Sequence, residues 1–241
     1  MFAGVLLSMR IDIWSDVVCP WCYIGKRRLE AALADFEHAD EVEIHFHSYE
    51  LDPAAPKVAS ERTLEALGRK YGGGVEGARR MMDQVEAAAA GEGLLFRLGE
   101  TMHVNTSDAH RVLHLAADHG VQGALKEALL AAHFTRAENV SDTDVLVRHA
   151  VAAGLEESRV REVLSSDEYA DAVEADIRQA ASLGATGVPF VVVDGKYGVP
   201  GAQPADVFGQ VLQRAWDDAH PQVQLVTGGD AEACGPDGCA I

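Results

Sequence analysis

Between Met9 and Trp14 apolar and polar positions alternate. Ile11 and Ile13 fall on one side and Arg10, Asp12 and Trp14 on the other, which predicts a strand. Within a few residues the period changes. Leu29, Ala32, Leu33 and Phe36 recur at helical spacing, so a helix opens near Pro20, a residue suited to a first turn because its missing N–H leaves no ladder bond unmade. Alternation returns from Glu41 to Tyr49, with Val42, Ile44, Phe46 and Ser48 on one face and Glu43, His45, His47 and Tyr49 on the other. Strand, helix, strand is a βαβ unit, whose two strands are expected to be parallel neighbours. Residues 50–56, with two prolines, then break the pattern as an extended loop.

From about Ser60 to Leu183 the pattern is helical, Ala-rich and punctuated by glycine. Leu64, Leu67 and Tyr71 mark one helix, stopped by Gly72-Gly73-Gly74, and Val75 to Ala90 marks a second. Ser107 is a candidate cap for a third, Gln122 to Ala137 forms a fourth, and Ser141-Asp142-Thr143-Asp144 reads as a capping box before Val145–Ala153. Ser166 is the expected cap of a last long helix that runs to Gly184. Six or seven helices with no strand, and no fixed-period repeat, predict an inserted helical subdomain rather than a solenoid. The sheet resumes at Gly187–Val193, a β-branched run. Asp194-Gly195 is a hairpin signal, Lys196–Val199 its antiparallel partner, and Val207, Phe208, Val211, Leu212 and Trp216 share one face of a closing helix.

Composition narrows the function. Of 241 residues, 48 % are hydrophobic and 24 % charged, as in ordinary globular proteins, and the length allows one large domain or a domain with an insertion. A net charge of −18 argues against nucleic acid or an anionic membrane as partner, since both require clustered Lys and Arg. Residues 1–8 are apolar but too short for a signal peptide, and no stretch approaches a membrane span, so a cytoplasmic placement is expected, with Met9 an alternative start. In a reducing compartment the four cysteines are expected to be reactive or buried rather than structural staples.

The candidate chemistry lies in Cys19-Pro20-Trp21-Cys22. A thiol at a helix N-terminus sits among unpaired N–H groups and the positive end of the dipole, which favours thiolate. Two intervening residues bring the second sulfur within disulfide reach. Cys19, at the outer end, is expected to attack; Cys22, one turn in, is expected to be less exposed and to resolve the mixed disulfide. Half a zinc site and two inert core cysteines are the rival readings, but the other two cysteines lie more than two hundred residues away and no His is near in sequence, so no metal is expected. Lys26, one turn on, either favours the Cys22 thiolate or faces water. His45 and His47 are read as half-exposed strand residues, and His110, His114 and His119 as helix-surface residues, since no third ligand and no H-E-x-x-H pattern accompanies them. Met81 and Met82 are read as core filling and Arg79 and Arg80 as a solvated face. In the tail, Cys234-Gly-Pro-Asp-Gly-Cys239 carries strong turn chemistry. A local disulfide that relays electrons to the first pair is weighed there against a frayed terminus with incidental thiols.

Asp16–Lys26, Gly187–Phe190, Gly201–Pro204, Asn105–Arg111 and Ser48–Pro53 together resemble the FrnE branch of the DsbA family, over roughly residues 9–215. Members are described as dithiol–disulfide isomerases of polyketide biosynthesis or DsbA-type oxidoreductases. The resemblance implies an α/β thioredoxin fold with a large all-helical insertion. Residues 9–56 and 184–220 would form a discontinuous thioredoxin-like domain, 57–183 the insertion and 221–241 a tail. It implies a cis-proline beside the redox pair, matched here by Pro189, with Val188 offering its backbone and Trp21 an apolar surface to a substrate chain. Thiol or disulfide substrates, protein or small, are the expected partners. No cofactor is expected to be tightly bound, and glutathione is a candidate electron donor or acceptor. Glutathione-dependent isomerases and kappa-type transferases share this outline but carry Ser in place of the pair. A non-catalytic binding module is the remaining alternative.

Overall fold

The computed structural model describes residues 8–221. The strands are β1 (Met9–Ser15), β2 (Val42–Ser48), β3 (Phe190–Val193) and β4 (Tyr197–Pro200), and they form one sheet in the order β2-β1-β3-β4. β1 and β2 run parallel with Ile11 opposite Ile44, as the βαβ reading requires; β3 is antiparallel to both β1 and β4. Helix α1 (Pro20–Ala34) and helix α9 (Ala205–Ala219) cover one face. Ile11, Ile13, Leu29, Val191, Val193, Phe208 and Leu212 fill the core between them. This is the predicted thioredoxin-type layer.

Between β2 and β3 the chain forms α2 (Thr63–Lys70), α3 (Gly74–Gly91), α4 (Ser107–Asp118), α5 (Gln122–Phe134), α6 (Thr143–Ala152), α7 (Glu157–Leu164) and α8 (Ala170–Ser182). The expected long helix from Ser166 is a correction. α7 precedes it, and α8 opens only at Ala170, after Tyr169 in a left-handed conformation. Arg111 explains the break: its buried guanidinium donates to the carbonyls of Val163, Ser166 and Glu168 at 2.7, 2.5 and 3.3 Å, which turns the chain between the two helices. Only Met82 of the methionine pair enters a core; Met81 is exposed. Arg79 and Arg80 are exposed.

Two side-chain devices dock the helices on the sheet. At the outer edge, Gln122 donates to the carbonyl of Phe46 at 2.8 Å and accepts from its N–H at 3.0 Å, completing both backbone groups as a neighbouring strand would. On the face opposite α1, Asp176 of α8 accepts from the Ser48 N–H at 2.7 Å, with His47 Nδ1 at 3.0 Å and His114 Nε2 at 3.1 Å, while His47 Nε2 meets Asp12 at 2.7 Å. Trp14 stacks on His47 and donates to the Asp176 carbonyl. His47 is thus wedged between two carboxylates rather than half-exposed. No helix among the described residues is long and apolar enough to cross a membrane.

Candidate active site

β1 ends at Ser15, Asp16 follows it, and Cys19 is the N-cap of α1 in extended conformation with Pro20 at the first helical position. The N–H of Cys19 donates to the Asp16 carbonyl at 3.3 Å, closing the turn that sets the thiol at the helix mouth. The Val188–Pro189 peptide bond is cis, and the Cys19 thiol donates to the Val188 carbonyl at 3.5 Å. Residues 169 positions apart therefore meet. Gly25 allows this approach: a Cβ there would lie 3.2 Å from Pro189 Cγ and 3.3 Å from Ala202 Cβ. Trp21, between the two cysteines, is 41 % exposed.

Three expectations are corrected here. Cys22 is not the less exposed thiol; Cys19 and Cys22 are 3 % and 4 % exposed. Lys26 does not face water: it pairs with Glu30 and, at 2.7 Å, with Glu127 of α5. Arg27 and the Tyr23 hydroxyl share that carboxylate, which despite burial is held down to about 2. His110 is not on the helix surface. Only 1 % of its side chain is exposed, and its Nε2 lies 3.3 Å from the equally buried Asp16 carboxylate.

The cation that reaches the pair is Lys126, which the sequence reading passed over. It is 1 % exposed, donates to the Ser15 carbonyl at 3.2 Å, and lines a cavity of about 10 Å³ with Cys22, Ser15 and Pro189. Burial drives the Cys22 thiol well above its ordinary range, Cys19 adds to the rise, and Lys126 opposes it. Burial likewise lowers Lys126, against the pull of Cys22, Asp16 and Cys19. Asp16 is pushed up by burial, but His110, the Leu51 N–H at 2.8 Å and Lys126 outweigh that and hold it below the usual carboxylate range. A signal for Lys126 was present in its spacing: it shares the apolar stripe with Leu129, Leu130 and His133, where a lysine has no business unless it is used. Cys234 and Cys239 lie outside the described residues.

A model of the DSBA-like thioredoxin domain matches residues 10–213. The chain belongs to that family. Among solved structures, this DSBA-like protein is similar to a probable DsbA oxidoreductase from Streptomyces coelicolor. The two are 49 % identical, with 97 % of this chain and 99 % of the other covered and a TM-score of 0.83. It also shares its fold with a 2-hydroxychromene-2-carboxylate isomerase (13 % identity, 88 % and 98 % covered, TM-score 0.64). A third match is the cytosolic disulfide reductase DsbM from Pseudomonas aeruginosa with GSH (16 % identity, 86 % and 98 % covered, TM-score 0.60).

Proposed function

We propose that this DSBA-like protein is a thiol–disulfide oxidoreductase that works through Cys19 and Cys22. The observation that carries the reading is the meeting of two thiols at a helix N-terminus with the Val188–Pro189 backbone, Cys19 Sγ lying 3.5 Å from the Val188 carbonyl. In one direction the Cys19 thiolate attacks a substrate disulfide and expels one substrate thiolate. Cys22 then attacks Cys19 Sγ, releasing the second thiolate and closing Cys19–Cys22; the pair gives up two electrons and its protons pass to solvent. In the other direction a substrate thiolate opens Cys19–Cys22. Lys126 stabilises negative charge on Cys22 in both, at the atom where burial opposes it most.

A cytoplasmic setting, with glutathione as electron donor or acceptor, is supported by the likeness in fold to the cytosolic disulfide reductase DsbM, whose structure is described with GSH. Both cysteines being present separates this chain from the Ser-bearing glutathione isomerases that share its outline. The test is direct. Cys19→Ser is expected to abolish insulin-disulfide reduction, and turnover retained in that variant would exclude Cys19 as the nucleophile.

A further inference from the structure

Beside the redox pair, on the side of Val18, a cavity of about 420 Å³ opens between the loop before α1, the loop after β2, helix α2 and the segment Met102–Val104. That volume falls within the range of small-molecule sites and is too small for a folded chain to enter. Part of its lining is apolar: Val18, Leu51, Ala66, Leu67, Met102 and Val104. His133 of α5 lines it, is 2 % exposed, and its Nδ1 has no hydrogen-bond partner among the described residues. Burial lowers His133 to about 4, so at neutral pH it offers an uncharged imidazole rather than a cation.

The rim differs from the walls. Arg69 and Lys70 stand there, both largely exposed; Arg69 is paired with both oxygens of Glu61, and Lys70 lies 3.7 Å from Asp52. Both ion pairs are solvent-exposed and so weakly held, which lets a ligand carboxylate compete with Glu61 and Asp52 for these two cations. The cavity is also joined to the chemistry. Val18 precedes Cys19, so the two Cα atoms lie about 3.8 Å apart. The Asp16 carboxylate ties the two loops that form the wall, accepting from the Val18 and Leu51 N–H groups at 3.5 and 2.8 Å.

We propose that this cavity is a binding site for small organic disulfides with an apolar or aromatic body and a carboxylate, so that the pair acts on small molecules as well as on proteins. The inference rests on the exchange reading above. One half of the disulfide lies on Leu67 and Met102 with its carboxylate toward Arg69 and Lys70, and its sulfur is presented across Val18 to Cys19. The Cys19 thiolate attacks that sulfur and the S–S bond breaks, releasing the other half as a thiolate. Cys22 then attacks Cys19 Sγ and releases the bound half, with two electrons passing from the pair to the substrate.

The probe is 5,5′-dithiobis(2-nitrobenzoate), an aromatic carboxylated disulfide, mixed with the reduced full-length chain carrying Cys234→Ser and Cys239→Ser so that only Cys19 and Cys22 react. Thionitrobenzoate release is expected to saturate with probe concentration. Leu67→Trp, which fills the cavity, should raise the half-saturating concentration at least tenfold while insulin reduction continues. The exposed double variant Arg69→Glu/Lys70→Glu should raise it several-fold for this probe and leave the neutral 2,2′-dithiodipyridine unaffected; it decides alone if Leu67→Trp loses its cooperative melt. Rates that rise linearly with probe, or that ignore both variants, overturn the site. A wild-type chain inert toward insulin and both probes would instead sink the exchange reading itself.

Discussion

Lys126 is the residue on which the site's electrostatics turn. A lysine removed from water costs several kcal/mol unless partnered, yet among the described residues its one hydrogen bond is to the Ser15 carbonyl. Its remaining compensation is charge: Asp16 below it, and the sulfurs when ionised. Lys126→Met ends the cost of burying an ammonium but takes one of its cations from the buried Asp16 carboxylate, so a loss of stability in urea unfolding is expected. The Cys22 thiol should move further up, and each unit of that shift lowers its thiolate population about tenfold. Alkylation of Cys22 against pH, mapped by mass spectrometry in the Cys19→Ser background, measures the shift. Accumulation of the Cys19 mixed disulfide in Lys126→Met alone reports the slowed resolution. An unmoved Cys22 profile would remove Lys126 from the chemistry.

At the level of elements, α1 must sit flush against the strand that carries Pro189, and Gly25 is where it does so. Gly25→Ala gains about 1 kcal/mol of helix propensity but forces a methyl against Pro189 and Ala202, an overpacking that costs about 1–3 kcal/mol. A net loss of about 1 kcal/mol in urea unfolding is expected, with a proportionally larger fall in insulin reduction because the Pro189 segment is displaced from Cys19. Equal activity at lowered stability would contradict this. The elements themselves were legible: β1, α1, β2, the β3–β4 hairpin and α9 follow from local period and turn residues. The start of α8, expected at Ser166 and found at Ala170, was not, because Arg111, 52 positions before the first carbonyl it binds, holds the Ser166 and Glu168 carbonyls in the turn before it. The same reason hid the Asp16–His110 pair, 94 positions apart: sequence spacing shows which face a residue takes, not which distant charge awaits it.

Across the whole molecule, the knot of His47, Asp12, Asp176 and His114 fastens helices α4 and α8 to the sheet, and it sets a pH window. Burial pulls His47 down, but Asp176 and Asp12 outweigh it and raise it above its ordinary 6.5. Its contribution is therefore complete below about pH 6.5 and is lost as pH climbs through the raised folded value. Asp176 is opposed by burial yet held far below the carboxylate range by His114, His47 and the Ser48 N–H, so its contribution is present above about pH 4 and fades in acid. His133, buried and neutral, also resists acid, losing its share as pH falls below about 6.5 toward 4. Melting temperature is expected to decline on both sides of mildly acidic pH, and His47→Gln should flatten the alkaline limb. An alkaline limb unchanged in His47→Gln would show that the knot is not ionised.

Gln122 has a consequence beyond docking α5. By satisfying both backbone groups of Phe46 it seals the outer margin of the β2 ribbon at mid-length, so a stranger's chain cannot be stitched on there. Gln122→Ala would unlock that margin, and self-association on concentration is the failure expected first.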